Sequence, residues 1–134
     1  MSTKFQTGRI GSNHVKAPDG SEIRLFHEMR EGGLSECTLS AGLTSSPISH
    51  RNVEEIWFFT HGTGLVWRQQ GNIEETVNVE PGISLTIPKN TKFQFKNTGK
   101  THLKFIICTM PPWPGEFEAQ IENGPWKTSF TNNK

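Results

Sequence analysis

The stretch "SSPISHRNVEEIWFFTHGTGLVWRQQ", residues 45–70, decides the fold. Over "EEIWFFT" an extended chain puts Glu55, Trp57 and Phe59 on one side and Glu54, Ile56 and Phe58 on the other. The glycines of "HGTG" then set a tight turn, and "LVWRQQ" leaves it as another strand. His50 lies just ahead of the two glutamates, so the stretch reads as a metal site, an acid/base pair or a polar turn entering a strand. Alternation separates the carboxylates. Glu54 faces away from Glu55 and reads as a solvated residue, not as half of a two-carboxylate device.

The pattern continues in both directions. "APDG" at 17–20 is a turn followed by the alternating "SEIRLF". "SECTLSAG" places Cys37, Leu39 and Ala41 on one face. A second turn falls at Gly71-Asn72, before a strand holding Val77 and Val79. "ISLTIP", "KFQFKN" and "HLKFIICTM" complete the series, with Leu103, Phe105 and Ile107 on the face opposite Lys104. Helical periodicity is almost absent, and no internal repeat of roughly 20–50 residues occurs. Short strands bounded by turns imply an all-β sandwich or barrel.

The chain's 134 residues suit one domain: an arm over 1–20, a barrel over 21–110 and a segment over 111–134 docked on it. That segment is rich in proline and glycine yet carries Trp113, Phe117 and Trp126, and disordered tails are poor in aromatics. A short helical turn is expected within 115–121. Trp113 is a candidate lid over the barrel mouth, whereas pattern alone does not place Trp67 or Trp126. Fourteen Lys and Arg nearly cancel 13 Asp and Glu, so no nucleic-acid or anionic-membrane partner is expected. The N-terminus lacks the apolar stretch of a signal peptide, and no run is long enough to span a bilayer. Cys37 and Cys108 read as buried free thiols, so a cytoplasmic location is expected.

The spacing of the punctuating residues resembles the two motifs of the cupin superfamily. Gly42, Ile48, His50, Glu55 and Gly62 fall where the first motif has Gly, His, His, Glu and Gly. Gly82, Pro88, Asn90, Phe93 and Asn97 fall where the second has Gly, Pro, Gly, His and Asn. The resemblance implies a jelly-roll β-barrel and a homodimer. The outward apolar parity of Ile56 and Phe58 is consistent with a buried second face.

The departures are selective. Asn90 replaces a glycine, and asparagine tolerates the left-handed conformation. Ile48 and Phe93 replace two of four metal ligands, leaving His50 and Glu55. A catalytic transition-metal site commonly needs three protein ligands, so no tightly held metal is expected. If a divalent transition metal is present, His50 and Glu55 are its ligands, completed by His27, His61 or His102.

Without metal, His50 and Glu55 are the expected catalytic pair of a non-redox enzyme of isomerase, cyclase or lyase type. Ile48, Trp57, Phe59, Phe93, Phe95 and Trp113 are the expected binding residues for a partly apolar small molecule. Two other readings stay open. One is an oxygenase-like metal cupin with an incomplete ligand set. The other is a cupin that binds without chemistry, or whose His–Glu pair merely closes an apolar barrel.

Overall fold

The computed structural model describes residues 4–130, all of them in strands, turns and loops. In chain order the strands are β1 (Val15–Lys16), β2 (Glu22–Glu28), β3 (Gly33–Leu39), β4 (Ile48–His50), β5 (Glu54–His61), β6 (Gly64–Gln70), β7 (Ile73–Val79), β8 (Ser84–Ile87), β9 (Lys92–Asn97), β10 (Leu103–Met110) and β11 (Ala119–Ile121). One sheet runs β1-β2-β3-β10-β5-β8 and the other β11-β4-β9-β6-β7. Every strand pair is antiparallel. Two such sheets face to face make the jelly-roll barrel.

The quoted stretch supplies the corner between the sheets. β5 pairs with β10 and β8, whereas β6 pairs with β9 and β7, so "HGTG" carries the chain from one sheet to the other. Gly62 makes this possible with φ 79°, and a Cβ there would collide with the carbonyl oxygen of His102. Asn90 adopts φ 64°, keeping the backbone that a glycine would supply. Its N–H donates to the His50 carbonyl at 2.8 Å, tying the second motif to the first. The Asn97 side-chain amide donates to the carbonyls of Leu39 and Thr101, pinning the end of β9 to the neighbouring chain.

Strict alternation builds the core. Glu55, Trp57 and Phe59 of β5 point inward beside Leu103, Phe105, Ile107 and Thr109 of β10. The indole of Trp57 stacks on Phe105 with centroids 4.4 Å apart and meets Phe95 edge-on at 5.4 Å, while Phe59 lies 4.6 Å from Phe105. Burial contributes about 1.5–3 kcal/mol per large apolar side chain, with aromatic geometry adding to it.

Four expectations are corrected. Residues 115–121 form a turn and then β11, not a helical turn, because Ala119–Ile121 pair with His50, Ser49 and Ile48 of β4 and take their backbone partners there. Ala41 is exposed, since β3 ends at Leu39 and the chain turns through Gly42. Cys108 is half-buried on the outer side of β10, whereas Cys37 is fully buried, and both are free thiols. The sheets also extend past residues 21–110, because β1 and β11 add an edge strand to each.

The outer faces of the two sheets differ. The five-stranded sheet is covered at β9 by the chain after β11: the buried Gln94 amide donates to the Trp126 carbonyl and accepts the Trp126 N–H, and Lys96 Nζ sits 4.5 Å from the Trp126 ring centroid. Trp67 on the same face donates its indole N–H to Glu74 at 2.7 Å. On the six-stranded sheet, Ile56 and Phe58 stand 46% and 48% exposed. No helix among the described residues is long and apolar enough to cross a membrane.

Candidate functional site

One end of the barrel interior is a cavity of about 550 Å³. Aromatic and aliphatic side chains dominate its wall, with a few polar groups from separate elements converging on it: Asp19 from the turn before β2, Cys37 from β3, His50 from β4, Glu55 from β5 and Thr109 from β10. Size and composition are those of a small-molecule site.

Glu55 is 7% exposed. Its Oε1 accepts the Trp57 indole N–H at 2.9 Å and its Oε2 accepts the Thr109 hydroxyl at 3.1 Å. Residues two apart on a strand share a face, which lets Trp57 reach back to Glu55, and β10 pairs Thr109 directly with Glu55. Both donors are neutral. Burial pushes the Glu55 carboxyl up to about 7 against these two hydrogen bonds, with Asp19 and Glu118 raising it further.

His50 is 3% exposed, and its Nδ1 is buried with no hydrogen-bond partner. Phe93 and Trp113 meet its ring edge-on at 5.2 and 5.1 Å. Burial drives the imidazole down to about 4, against an opposing pull from Glu118. No ion pair or hydrogen bond joins His50 to Glu55; the carboxylate spends its oxygens on Trp57 and Thr109 instead. The two are therefore separate polar groups in one cavity, with the usual order of carboxyl and imidazole inverted.

The positions that depart from the metal motif face each other: Ile48 of β4 and Phe93 of β9 are direct cross-strand partners, both buried. Their hydrocarbon fills the place of two imidazoles. Among the described residues no group of three or more His, Cys, Asp and Glu could hold a metal ion. His61 is exposed with Nδ1 beside the Thr60 hydroxyl, and His102 is exposed before β10. His27 lies on the exposed part of the cavity wall. The residues present do not fit a metal centre.

Of the binding residues expected from sequence, Ile48, Trp57, Phe93 and Trp113 line the cavity. Phe59 and Phe95 do not; they lie deeper, in the aromatic cluster with Trp57 and Phe105. Alternation aims them inward correctly, but it does not measure depth along the barrel. Glu54 is exposed.

Several site residues escaped sequence reasoning. Thr109 continues the inward series of Leu103, Phe105 and Ile107, so parity carried a signal for it. Asp19 gave none, being one residue of a turn, and its Oδ1 accepts both the N–H and the hydroxyl of Ser21. Burial raises Asp19 against those bonds and pushes the Cys37 thiol well up, with Asp19 adding to the latter. Glu118 was equally silent. Its carboxylate accepts the N–H groups of Asn52 and Val53 at 2.6 and 2.7 Å and the Asn52 amide at 3.1 Å, clamping the loop that follows His50. Burial pushes Glu118 up, but these donors outweigh it and hold the carboxyl below its ordinary value.

Fold and site together define a jelly-roll barrel with a ligand-sized cavity at one end. A family model described as a cupin domain matches residues 35–109, and the chain belongs to the cupin family. It is 31% identical over 109 residues to an uncharacterized protein, MJ1618, of Methanocaldococcus jannaschii, covering 78% of this chain and 84% of that one. Among solved structures it is similar to the capsular polysaccharide assembling protein CapF of Staphylococcus aureus, with TM-score 0.70 and 16% identity. That match covers 81% of this chain but 33% of CapF, so the chain spans about a third of that protein. KdgF of a Halomonas species is similar at TM-score 0.63 and 14% identity, covering 74% of this chain and 87% of KdgF. At these identities the structural likeness shows the fold alone.

Proposed function

We propose that the chain binds a partly apolar small molecule in this cavity and acts on it as a non-redox enzyme of isomerase, cyclase or lyase type, with His50 and Glu55 exchanging protons with the ligand. The observation that carries the reading is the placing of buried His50 and Glu55, neither neutralised by an ion pair among the described residues, on a mainly apolar wall of ligand size. Burial raises the Glu55 carboxyl to about 7, which suits it to give a proton to a bound molecule or take one, while His50, lowered to about 4, is a neutral imidazole on the same wall. Such groups contribute about 10²–10⁴-fold to rate when positioned. Ile48, Trp57, Phe93 and Trp113 would hold the apolar body of the ligand and exclude water. A second reading, binding without turnover, is supported by the lack of direct contact between His50 and Glu55.

The experiment is a panel of small hydroxy, oxo and amino compounds, screened by nuclear magnetic resonance for shifts at the Trp57 and Trp113 indoles. Binders are then incubated in D₂O. Deuterium entering a carbon of the ligand with wild-type protein, and about a hundredfold more slowly with Glu55→Gln, is the expected result. Binders that exchange no carbon-bound proton and yield no product would leave the protein a binding module.

A further inference from the structure

We propose that the ligand's polar end is a cation: an ammonium group on an aromatic or aliphatic body, received by Glu55 and Asp19 within the ring of aromatic side chains. This names the ligand class of the cavity described above and rests on its being a ligand site.

The wall's charge is one-sided. The ionisable groups on it are the carboxyls of Asp19, Glu28 and Glu55, the thiol of Cys37, which burial keeps protonated, the imidazoles of His27 and His50, and the single amine of Lys16. Asp19 and Glu55 are each 7% exposed, whereas Lys16 is exposed and its Nζ stands 5.4 Å from the Phe130 ring. No ion pair among the described residues includes either buried carboxyl. Their hydrogen-bond donors, Trp57 and Thr109 for Glu55 and Ser21 for Asp19, carry no charge. A buried carboxylate without a counter-charge is costly, and a ligand that brings the charge removes that cost.

Two independent features point the same way. His50, the buried imidazole on the same wall, is lowered by burial to about 4 and so brings no positive charge that would compete with a cationic ligand. The cavity is walled by Trp57, Phe93, Phe105 and Trp113, and aromatic side chains, Trp above all, attract a desolvated cation. A neutral ligand would supply no counter-charge and leave the carboxyls to be relieved only by protonation, and an anionic one would add a like charge beside them.

The test uses three probes of matched shape: 2-phenylethylammonium, the neutral 2-phenylethanol and the anionic 3-phenylpropionate. Each is titrated into the full chain by calorimetry and Trp fluorescence at low ionic strength. The ammonium probe is expected to bind at least tenfold tighter than the alcohol, with no binding of the carboxylate. Glu55→Gln and Asp19→Asn, each first checked for native near-ultraviolet circular dichroism, should each remove about tenfold from the ammonium probe and leave the alcohol within about twofold. Equal or tighter binding of the alcohol or the carboxylate overturns the cation assignment, as does failure of all three probes when the compound panel yields a binder; in both cases the cavity keeps its role as a ligand site. Absence of any binder from probes and panel together overturns the cation assignment and the ligand site with it.

Discussion

The two ends of the barrel interior are built from the same strands and do opposite things. On β5 and β10 the deep end carries Phe59 and Leu103, the cavity end carries Glu55 and Thr109, and Phe105 stands between, packed on Phe59 and bordering the cavity. On β9, Phe95 lies deep and Phe93 borders the cavity. The deep end is a close-packed aromatic cluster; the cavity end keeps open volume and holds polar groups short of charge partners. Two residues along a strand is enough to pass from one regime to the other. Stability can thus be concentrated where nothing binds, leaving the cavity end free to carry uncompensated groups that would be unaffordable in a smaller core.

The sharpest way to break this division is to cut into the deep end. Phe105→Ala should cost about 3–5 kcal/mol in chemical denaturation, because fully buried Phe105 packs on Trp57, Phe59 and Phe95 at once. A cost below about 1 kcal/mol would mean the cluster is not the stabilising half.

At the cavity end the expected effect depends on pH. Glu55 is raised from 4.5 to about 7 in the folded state, so the folded chain holds this proton more tightly than the unfolded one. Its contribution is fully present below pH 4.5 and is lost as pH rises through 7, a change of about 3 kcal/mol. His50, lowered from 6.5 to about 4, contributes in the opposite sense: its stability is present above pH 6.5 and is lost as pH falls through 4. The two slopes oppose each other in the wild type. Glu55→Gln removes one of them, so the stability of the variant relative to wild type should rise by about 3 kcal/mol between pH 4.5 and 7. Asp19 and Glu118 titrate in both proteins, and their smaller coupling to Glu55 enters the difference only as a secondary contribution. A difference that stays constant with pH would show that Glu55 is not buried as an uncompensated acid.

The smallest effect concerns the apolar pair that closes the metal position. Wild-type protein should gain no thermal stability from Zn²⁺, Mn²⁺ or Ni²⁺ and lose none to a chelator. The double substitution I48H/F93H places imidazoles on both cross-strand partners beside His50 and Glu55, and should make the melt respond to metal by up to about 2.7 kcal/mol at a hundredfold excess over Kd. Stabilisation of the wild type by metal would overturn the reading that Ile48 and Phe93 have replaced the centre.

Much of this was legible in the sequence because strand alternation is local. The inward set Glu55, Trp57 and Phe59 follows from a period of two. The punctuation at Gly42, Gly62, Gly82, Pro88 and Asn97 marks a cupin, and Asn90 keeps the left-handed turn that its position demands. What parity cannot supply is distance along the barrel axis, so Phe59 and Phe95 looked no different from Phe93. Nor can it supply partners from remote segments. Asp19 sits in a turn before β2, and Glu118 reaches the 52–53 loop from 65 and 66 residues away.

The sequence by itself determined an all-β cupin barrel, the presence of Ile48 and Phe93 at two motif positions and the inward aim of Glu55, since each depends on neighbours within a strand or on fixed motif spacing. Only the tertiary structure decided that His50 and Glu55 stand apart, that Glu55 is held by Trp57 and Thr109, and that Asp19 joins the same wall. Those facts depend on which strands pair and how deep each side chain sits. Because burial sets the acidity of these groups, their shifted protonation exists only once the two sheets have closed.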